Sequence, residues 1–294
     1  MVQGSRLPYF DTLLESFDAG DTNVAEAFGR HVHWGYWEQE PESAPTSAEF
    51  ARAAERLCRE VWESAGIRDG DRVVDVGCGF GGTLVSVEAQ RSGVTLTGVN
   101  IDHRQLLRAA RMTKAAHAGN TLAWLCADAC ALPLAAVSCD VVLAVECIFH
   151  FPDRRRFFAE AWRVLKPGGR LALSDFVPAK VLLPVTLAAG FWPGSRGFYG
   201  KVDMRCTAHR YAKLATEAGF LPLLDRDITR HTLPTYPFLR RLSPRLPALR
   251  SSAVAETLFA ELASRLGLLR YRILTYRKRV SEPEPAATAE RACV

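Results

Sequence analysis

The stretch RVVDVGCGFGG, residues 72–82, decides the fold of this chain. Its first half, Arg72 to Val76, is a short valine-rich run typical of a buried strand. Glycines then follow at 77, 79 and 82, and residues 83–90 are compatible with a helix. A strand, a Gly-x-Gly-x-x-Gly turn and a helix indicate a nucleotide-type loop, because missing side chains let the backbone approach a ligand near a helix N-terminus.

Strands and helices go on alternating after this loop. Apolar runs predict four further strands and two helices, the strands at 94–99, 122–126, 140–145 and 170–175 and the helices at 103–118 and 154–165. Leu221 to His231 and Leu269 to Arg277 predict two more strands. Because strands separated by helices pair in parallel with right-handed crossovers, we expect an α/β fold: a doubly wound, Rossmann-like, mostly parallel seven-stranded sheet with a helical lid and cap insertions.

Changes in composition along the chain predict its organisation. Two stretches rich in proline, glycine and aromatic residues interrupt the alternation, and the last residues are rich in proline, glutamate and alanine. The expected units are an N-terminal helical lid at 1–66, a cofactor-binding core at 67–180, a cap insertion at 181–207, the C-terminal part of the core at 208–280 with a second cap insertion at 234–267, and a disordered tail at 281–294.

Composition narrows the possible classes of protein. The 294 residues carry a net charge of +5 spread along the chain, so no nucleic-acid partner is expected. The longest apolar segment, 181–192, is too short to span a bilayer, and the N-terminus lacks a secretory signal, so we expect no transmembrane segment and a cytoplasmic location. The eight cysteines form no Cys-x-x-Cys pair, so no metal is expected. A homodimer is compatible with the sequence.

Polar side chains end the first three predicted strands and point to a ligand. Asp75 would repel a pyrophosphate but suits a ligand that carries positive charge. Asn100 ends the second strand, where a polar side chain can bond ribose hydroxyls, and Asp128 ends the third, where it could accept a hydrogen bond from an adenine amine. Together they indicate an adenosine without phosphates, although each alone could be a turn residue or a helix N-cap.

Four segments in order, VVDVGCGFGG, GVNIDHRQL, CADACALP and RVLKPGGRLALSDF, resemble motifs of class I S-adenosylmethionine-dependent methyltransferases over roughly residues 30–180. The likeness is strongest to bacterial enzymes that methylate small molecules and natural products, including sugar O-methyltransferases of secondary metabolism. The resemblance implies S-adenosyl-L-methionine as the cofactor. It also implies a set of cofactor-binding residues: Tyr36, Asp75, Gly77, Cys78, Gly79, Asn100, Ile101, Gln105, Asp128, Ala129 and Glu146. Asp102 is a second candidate for the ribose contact.

The segment HVHWGYW, residues 31–37, resembles a lid that folds over the cofactor in such enzymes. On this basis we expect Tyr36 and His33 to face the sulfonium, because aromatic faces attract cations. For Trp34 and Trp37 we expect a structural role, in which they pin the N-terminal helices to the core.

The segment VECIFHFPD, residues 145–153, places Glu146 and His150 directly after the fourth strand. Their position at the carboxyl edge makes His150 a candidate general base, because its pKa is ordinarily near neutral. A buried Glu146 should have a ligand or a donor partner, and Asp175, at the end of strand five, could orient or assist His150. The structural alternative is that His150 caps a helix or is satisfied in the core.

These residues predict O-methylation of a natural-product or sugar hydroxyl by in-line displacement. The acceptor is expected to be an apolar, aromatic or glycosylated small molecule, because the insertions offer aromatic residues at 191, 192, 198, 199, 236 and 238. Methylation of carbon or nitrogen on a lipid-like or amine acceptor remains an alternative. An NAD-dependent oxidoreductase with the same glycine loop, and an inactive cofactor-binding protein, are alternatives from other classes.

Overall fold

A computed structural model describes residues 7–113, 115–184, 199–242 and 251–280. Its strands are β1 (Arg72–Val76), β2 (Thr95–Asn100), β3 (Thr121–Cys126), β4 (Cys139–Val145), β5 (Leu165–Pro178), β6 (Phe220–Asp227) and β7 (Leu269–Lys278). Its helices are α1 (Pro8–Asp18), α2 (Thr22–Phe28), α3 (Ser47–Ser64), α4 (Gly82–Glu88), α5 (His103–Met112), α6 (Arg154–Val164), α7 (Ala208–Glu217), α8 (Thr229–Thr232), α9 (Thr235–Leu242) and α10 (Ser251–Arg265). None of these helices is long and apolar enough to cross a membrane.

The strands of the described residues form one seven-stranded sheet in the order β3-β2-β1-β4-β5-β7-β6. The first five strands pair in parallel, whereas β7 runs antiparallel between β5 and β6. The chain order reverses beside β1, which is the point where ligands bind in doubly wound sheets. The predicted fold class is therefore confirmed.

Helices cover both faces of the sheet. On one face, Val74 and Val142 pack with apolar side chains of α6 and α7. On the other face, Val73 and Val141 pack against α3, whose Leu57, Val61 and Trp62 are completely buried. Helix α3 thus packs directly on the sheet. The predicted domain boundaries, including the one at residue 66, stay predictions.

Several elements end elsewhere than the sequence predicts. The sixth strand, expected to reach His231, ends at Asp227, because the Asp227 carboxylate accepts a hydrogen bond from the Thr229 amide at 3.0 Å and starts helix α8. The helix expected at 103–118 ends at Met112, because Thr113 is extended. Strand β5 is longer than predicted and reaches Pro178. The expectations for residues 191, 192 and 198 and for the tail lie outside the described residues.

A tryptophan ring fixes the glycine loop against strand β2. The ring of Trp124 lies so close to the backbone that a Cβ on Gly81 would be 2.3 Å from it, and a Cβ on Gly98 would be 2.5 Å from it. The same ring lies against both glycines, so a side chain at either position would require the ring or the backbone to move. Gly81 also has φ of +80°, which favours glycine.

Replacing Gly81 with alanine should therefore destabilise the protein beyond the ordinary cost of a positive φ. Gly70 is a matched control, because its φ is +79° and nothing lies within 4 Å of its Cβ position. We expect Gly81→Ala to lower the free energy of unfolding by about 1–3 kcal/mol more than Gly70→Ala does, as overpacking costs that much. Urea denaturation measures both, and equal losses would show that the Trp124 ring yields freely.

Candidate active site

The carboxyl ends of the parallel strands meet at one edge of the sheet. Val76 of β1 pairs with Val99 of β2, and Asn100 of β2 pairs with Cys126 of β3. The segments that follow these strands are therefore neighbours, as the sequence predicts. They bring the glycine loop, residues 100–101 and residues 128–129 to the same edge.

The glycine loop leaves its backbone open to a ligand. The Gly77 and Cys78 amides both donate to the Val99 carbonyl, at 2.8 and 3.2 Å, which fixes the turn on β2. A Cβ on Gly79 would meet only the Gln105 side chain, at 4.0 Å, so that side of the loop is open. A Cβ on Gly77, in contrast, would lie 2.6 Å from Cys147. Gly77 thus permits close packing against Cys147, whereas Gly79 leaves the backbone accessible to a ligand.

Asp75 lies under this loop as a buried carboxylate without a partner. Its side chain is 1% exposed, and neither carboxylate oxygen has a hydrogen-bond partner among the described residues. Burial raises the pKa of Asp75 from 3.8 to about 8. Leaving a buried polar group unpaired is costly, so the site is incomplete without a ligand that brings a donor. The ammonium group at the amino-acid end of S-adenosylmethionine is such a donor, and it fits beside an open glycine loop.

The next two strand ends also carry polar groups, although their contacts differ. The side-chain Nδ2 of Asn100 donates to Gln105 Oε1 at 2.8 Å. These two predicted cofactor residues therefore lie together, and Ile101 directly follows Asn100 in the chain. Asp128 accepts a hydrogen bond from the Cys130 amide at 2.8 Å, in the turn that also holds the buried Ala129. The second ribose candidate, Asp102, is instead the N-cap of α5 and an ion-pair partner of Arg104.

The segment 31–37 lies over this edge, but with other side chains than predicted. His31 packs on the glycine loop, because a Cβ on Gly82 would lie 2.6 Å from its ring. His33 is buried and bonds the Trp34 carbonyl at 2.8 Å through Nδ1, and burial lowers its pKa to about 3. Tyr36, predicted to bind the cofactor, stacks on the ring of His231 at 4.4 Å. Tyr36 is therefore placed against the β6–α8 region rather than over the glycines.

Glu146 joins this lid segment to the sheet. Its Oε2 accepts hydrogen bonds from the Trp34 amide at 2.9 Å and from the Tyr271 hydroxyl. Its own amide donates to Ser174 on β5, and its φ of +48° is unusual for a residue with a side chain. Burial raises the pKa of Glu146 to about 8, although the hydrogen bonds from Tyr271 and Trp34 act in the opposite direction. The sequence-based expectation that Glu146 has a donor partner agrees with these contacts.

His150 ends a short 3-10 turn, Ile148–His150, just beyond Glu146. Its Nδ1 lies 3.2 Å from the Lys201 carbonyl, and its Nε2 lies 3.4 Å from the Tyr9 hydroxyl. A carbonyl only accepts hydrogen bonds, so Nδ1 carries the proton and the Nε2 lone pair accepts from the Tyr9 hydroxyl. Burial lowers the pKa of His150 to about 4, and the imidazole is therefore neutral at physiological pH.

Asp175 does not bond to His150 in the way the sequence suggests. It is completely buried and accepts hydrogen bonds from the Tyr211 hydroxyl and, at 2.7 Å, from the Phe176 amide. Arg154 lies 3.6 Å away from the same carboxylate. Burial raises the pKa of Asp175 to about 6, against the effect of the Arg154 charge. Asp175 thus pairs with Arg154 and does not contact His150, and its predicted role of orienting or assisting His150 stays a prediction.

Aromatic side chains form a cluster beside Glu146 and His150. The ring of Trp34 lies 5.2 Å from that of Phe176, 5.8 Å from Tyr236 and 6.5 Å from Tyr199, and Tyr199 lies 6.0 Å from Tyr9. Phe238, which the sequence also offers for the acceptor pocket, does not join this cluster and stacks on Phe50.

Two members of the site carry no local signal in the sequence. Tyr9 is on α1, far from the motifs, and Tyr271 is one of several aromatic residues in an ordinary strand. Both reach the site through tertiary packing.

Helix α1 is held over the edge by contacts with α5. Arg104 of α5 pairs with Asp11 of α1 at 2.7 Å and with Asp102 at 2.6 Å. Arg108, one turn further along α5, lies over the ring of Phe17 at 4.0 Å. We call these contacts the α1 latch. They connect the helix that carries Tyr9 to the strand end that carries Asn100.

The site thus combines a doubly wound sheet, an open glycine loop, a buried carboxyl group that has no partner among the described residues, and a lid segment, which is an arrangement suited to a nucleoside-containing cofactor. Residues 74–173 match the family model described as a methyltransferase domain. The chain belongs to this family of S-adenosylmethionine-dependent methyltransferases, and S-adenosylmethionine is its cofactor. Membership of this family excludes the alternative that the chain is an NAD-dependent oxidoreductase.

Two curated relatives cover most of the chain. The chain is 33% identical to "Methyltransferase GfsG" of Streptomyces halstedii, over 82% of this chain and 84% of the relative. It is 31% identical to "27-O-demethylrifamycin SV methyltransferase" of Amycolatopsis mediterranei, over 90% of this chain and 96% of the relative. Both similarities extend well beyond the segment that matches the family model.

Two solved structures share the fold. One is the cyclase SpnF, with a TM-score of 0.71, 24% identity and coverage of 95% of this chain and 98% of that one. The other is a geranyl diphosphate C-methyltransferase from Streptomyces coelicolor A3(2) in complex with S-adenosyl-L-homocysteine, with a TM-score of 0.67, 18% identity and coverage of 94% and 99%. At these identities the likeness shows the fold alone.

Replacing Asp75 with asparagine should weaken binding of S-adenosylhomocysteine and remove part of its pH dependence. A hydrogen bond to a charged group contributes about 1.5–3 kcal/mol, so we expect roughly 10- to 150-fold weaker binding. Because the pKa of Asp75 is about 8 without ligand, its proton must leave before it can accept the ammonium. Calorimetry at pH 6 and pH 8 should therefore show that the affinity of the native protein rises with pH more steeply than that of Asp75→Asn.

The native protein and Asp75→Asn should also differ in how their free energy of unfolding depends on pH, which tests the pKa of Asp75 without a ligand. The folded state holds a proton on Asp75 that the unfolded chain releases between about pH 4 and pH 8. The native protein should therefore lose free energy of unfolding across this range relative to Asp75→Asn, and the two should converge near pH 4. A constant difference in denaturation experiments would show that Asp75 is ionised in the unliganded fold.

Proposed function

We propose that this enzyme transfers a methyl group to a hydroxyl of a small-molecule natural product or its sugar, with His150 as the general base. The observation that carries this proposal is the state of His150. Its Nδ1 faces the Lys201 carbonyl, its lone pair at Nε2 faces the lid, and its lowered pKa keeps it neutral. A neutral imidazole whose unprotonated nitrogen already faces a hydroxyl group is suited to accept a proton from an alcohol.

The Tyr9 hydroxyl indicates where the acceptor hydroxyl would lie. It occupies the position next to His150 Nε2 that a reacting alcohol needs, so α1 has to shift when the acceptor binds. His150 then takes the alcohol proton on Nε2 as the oxygen attacks, and releases that proton to solvent afterwards. When bound, S-adenosylmethionine supplies an electrophilic methyl group on a sulfonium. The remaining contribution of the chain is alignment of the two reactants.

The aromatic cluster supports an acceptor with a large apolar surface. Trp34, Phe176, Tyr199 and Tyr236 present rings rather than charges beside His150. Such walls exclude water and hold apolar or ring-shaped ligands. The name of the Amycolatopsis relative, a methyltransferase of 27-O-demethylrifamycin SV, supports the same class of acceptor for this chain.

Replacing His150 with alanine should lower kcat by roughly 10²–10⁴-fold, because that is the usual contribution of a general base. The affinity for S-adenosylhomocysteine should be unchanged. The assay follows label from methyl-labelled S-adenosylmethionine into 27-O-demethylrifamycin SV and into a fractionated bacterial metabolite extract. The matched control is His209→Ala, since His209 is exposed on α7. Because the pKa of His150 is about 4, kcat due to this group should decline only as the pH approaches that value.

Methylation of carbon or nitrogen is the second candidate, and Glu146 is the observation that favours it. A buried carboxyl group among aromatic rings could steady a cation that develops on the acceptor. Nearly full transfer by His150→Ala, with label on carbon or nitrogen in the NMR spectrum of the product, would replace the O-methyltransferase proposal by this one.

A further inference from the structure

We propose that Arg154 and Asp203 are positioning residues, which hold the Lys201 carbonyl against His150 and thereby keep the proton of the imidazole on Nδ1. This inference rests on the proposed function, because the tautomer matters for transfer only if Nε2 is the base. It concerns a different part of the molecule, the segment after residue 198 and the start of α6. The arrangement has three layers.

The first layer is the contact that selects the tautomer. In a neutral imidazole one nitrogen donates and the other accepts. The Lys201 carbonyl, 3.2 Å from Nδ1, makes Nδ1 the donor. Without this carbonyl, the proton could reside on Nε2, and the lone pair needed for proton transfer would point away from the acceptor. The position of one backbone oxygen therefore decides whether the base is available.

The second layer holds that oxygen in place. Arg154 Nη1 donates to the Asp203 carboxylate and Nη2 donates to the Asp203 carbonyl, both at 2.7 Å. The Asp203 amide donates to the Phe149 carbonyl at 2.8 Å. The segment that carries Lys201 is thus tied to the residue before His150 and to the first turn of α6. A planar guanidinium fork is required for this, since a lysine ammonium cannot match both oxygens in one plane.

The third layer explains how a buried arginine is tolerated. Arg154 is 7% exposed, and a buried charge is stable only when it is paired. The Asp175 carboxylate lies 3.6 Å away on its other side, and Tyr211 donates to that carboxylate while its ring lies 5.9 Å from the guanidinium. Asp175 therefore acts on His150 through Arg154, Asp203 and Lys201, without touching it.

The test compares Arg154→Lys with Arg155→Lys. Both substitutions keep the charge, but Arg155 is its neighbour on α6 and forms an exposed pair with Glu217 at 2.9 Å. Nitrogen-15 NMR of the His150 ring reports which nitrogen is protonated and needs no acceptor. We expect the native protein and Arg155→Lys to show a proton on Nδ1, and Arg154→Lys to show a mixture of both tautomers. In transfer assays, Arg154→Lys should lower kcat by the same factor by which the population of the Nδ1-protonated ring falls, with the affinity for S-adenosylhomocysteine unchanged.

A second variant guards against a failure of Arg154→Lys to fold. Asp203→Asn keeps the shape of the half-buried side chain and removes its charge, so it should shift the tautomer in the same direction by a smaller amount. An unchanged ring spectrum in a folded variant would overturn the proposal, even if His150→Ala is inactive. Conversely, a shifted tautomer together with an active His150→Ala would retain the positioning role and reject His150 as the base.

Discussion

Glu146 connects three parts of the chain that are distant in sequence, and the active site depends on this connection. Its carboxylate accepts from the Trp34 amide of the lid and from the Tyr271 hydroxyl of β7, while its amide bonds to Ser174 of β5. The positive φ of Glu146 turns the chain sharply after β4 and directs the side chain into the fold. The lid segment, strands β5 and β7 and the turn that carries His150 are therefore connected by one residue.

Two carboxyl groups at this edge have raised pKa values for one shared reason and serve different purposes. Burial is the main cause for both Asp75 and Glu146. Glu146 is already bonded within the protein, whereas Asp75 has no partner among the described residues. Glu146 thus connects elements of the fold, whereas Asp75 keeps its hydrogen-bonding capacity unused among the described residues. A sequence that shows only two acids cannot distinguish these roles.

The sequence predicts the parts of the site that are local and leaves out those that depend on packing. The alternation of strands with helices and the glycine spacing place Asp75, Asn100 and Asp128 at one edge, because parallel strands end together. Helix α3 has the same apolar stripe whether it covers a sheet or forms a lid, so periodicity could not place it in the core. Tyr9 and Tyr271 reach the site through contacts more than a hundred residues apart in sequence.

Some candidate residues make contacts that the sequence did not predict, and these contacts have physical causes. Asp175 lies within β5, three residues before its end, and the buried Arg154 pairs with it. No sequence pattern near Asp175 predicts this contact. Asp102 looks like a ribose ligand from its position, yet a carboxylate directly before a helix is just as well used as an N-cap. Tyr36 and His31 lie in one short aromatic segment, and the path of the backbone decides which of them meets the glycines.

The α1 latch has a consequence for how substrates enter. Arg104 and Asp11 are both partly exposed, and ion pairs of this kind contribute about 0–1 kcal/mol each. The Trp34 amide, in contrast, is tied to a buried carboxylate. Opening this edge to a substrate therefore depends less on the latch than on apolar packing, because Phe10 and Leu13 of α1 are themselves buried in the fold.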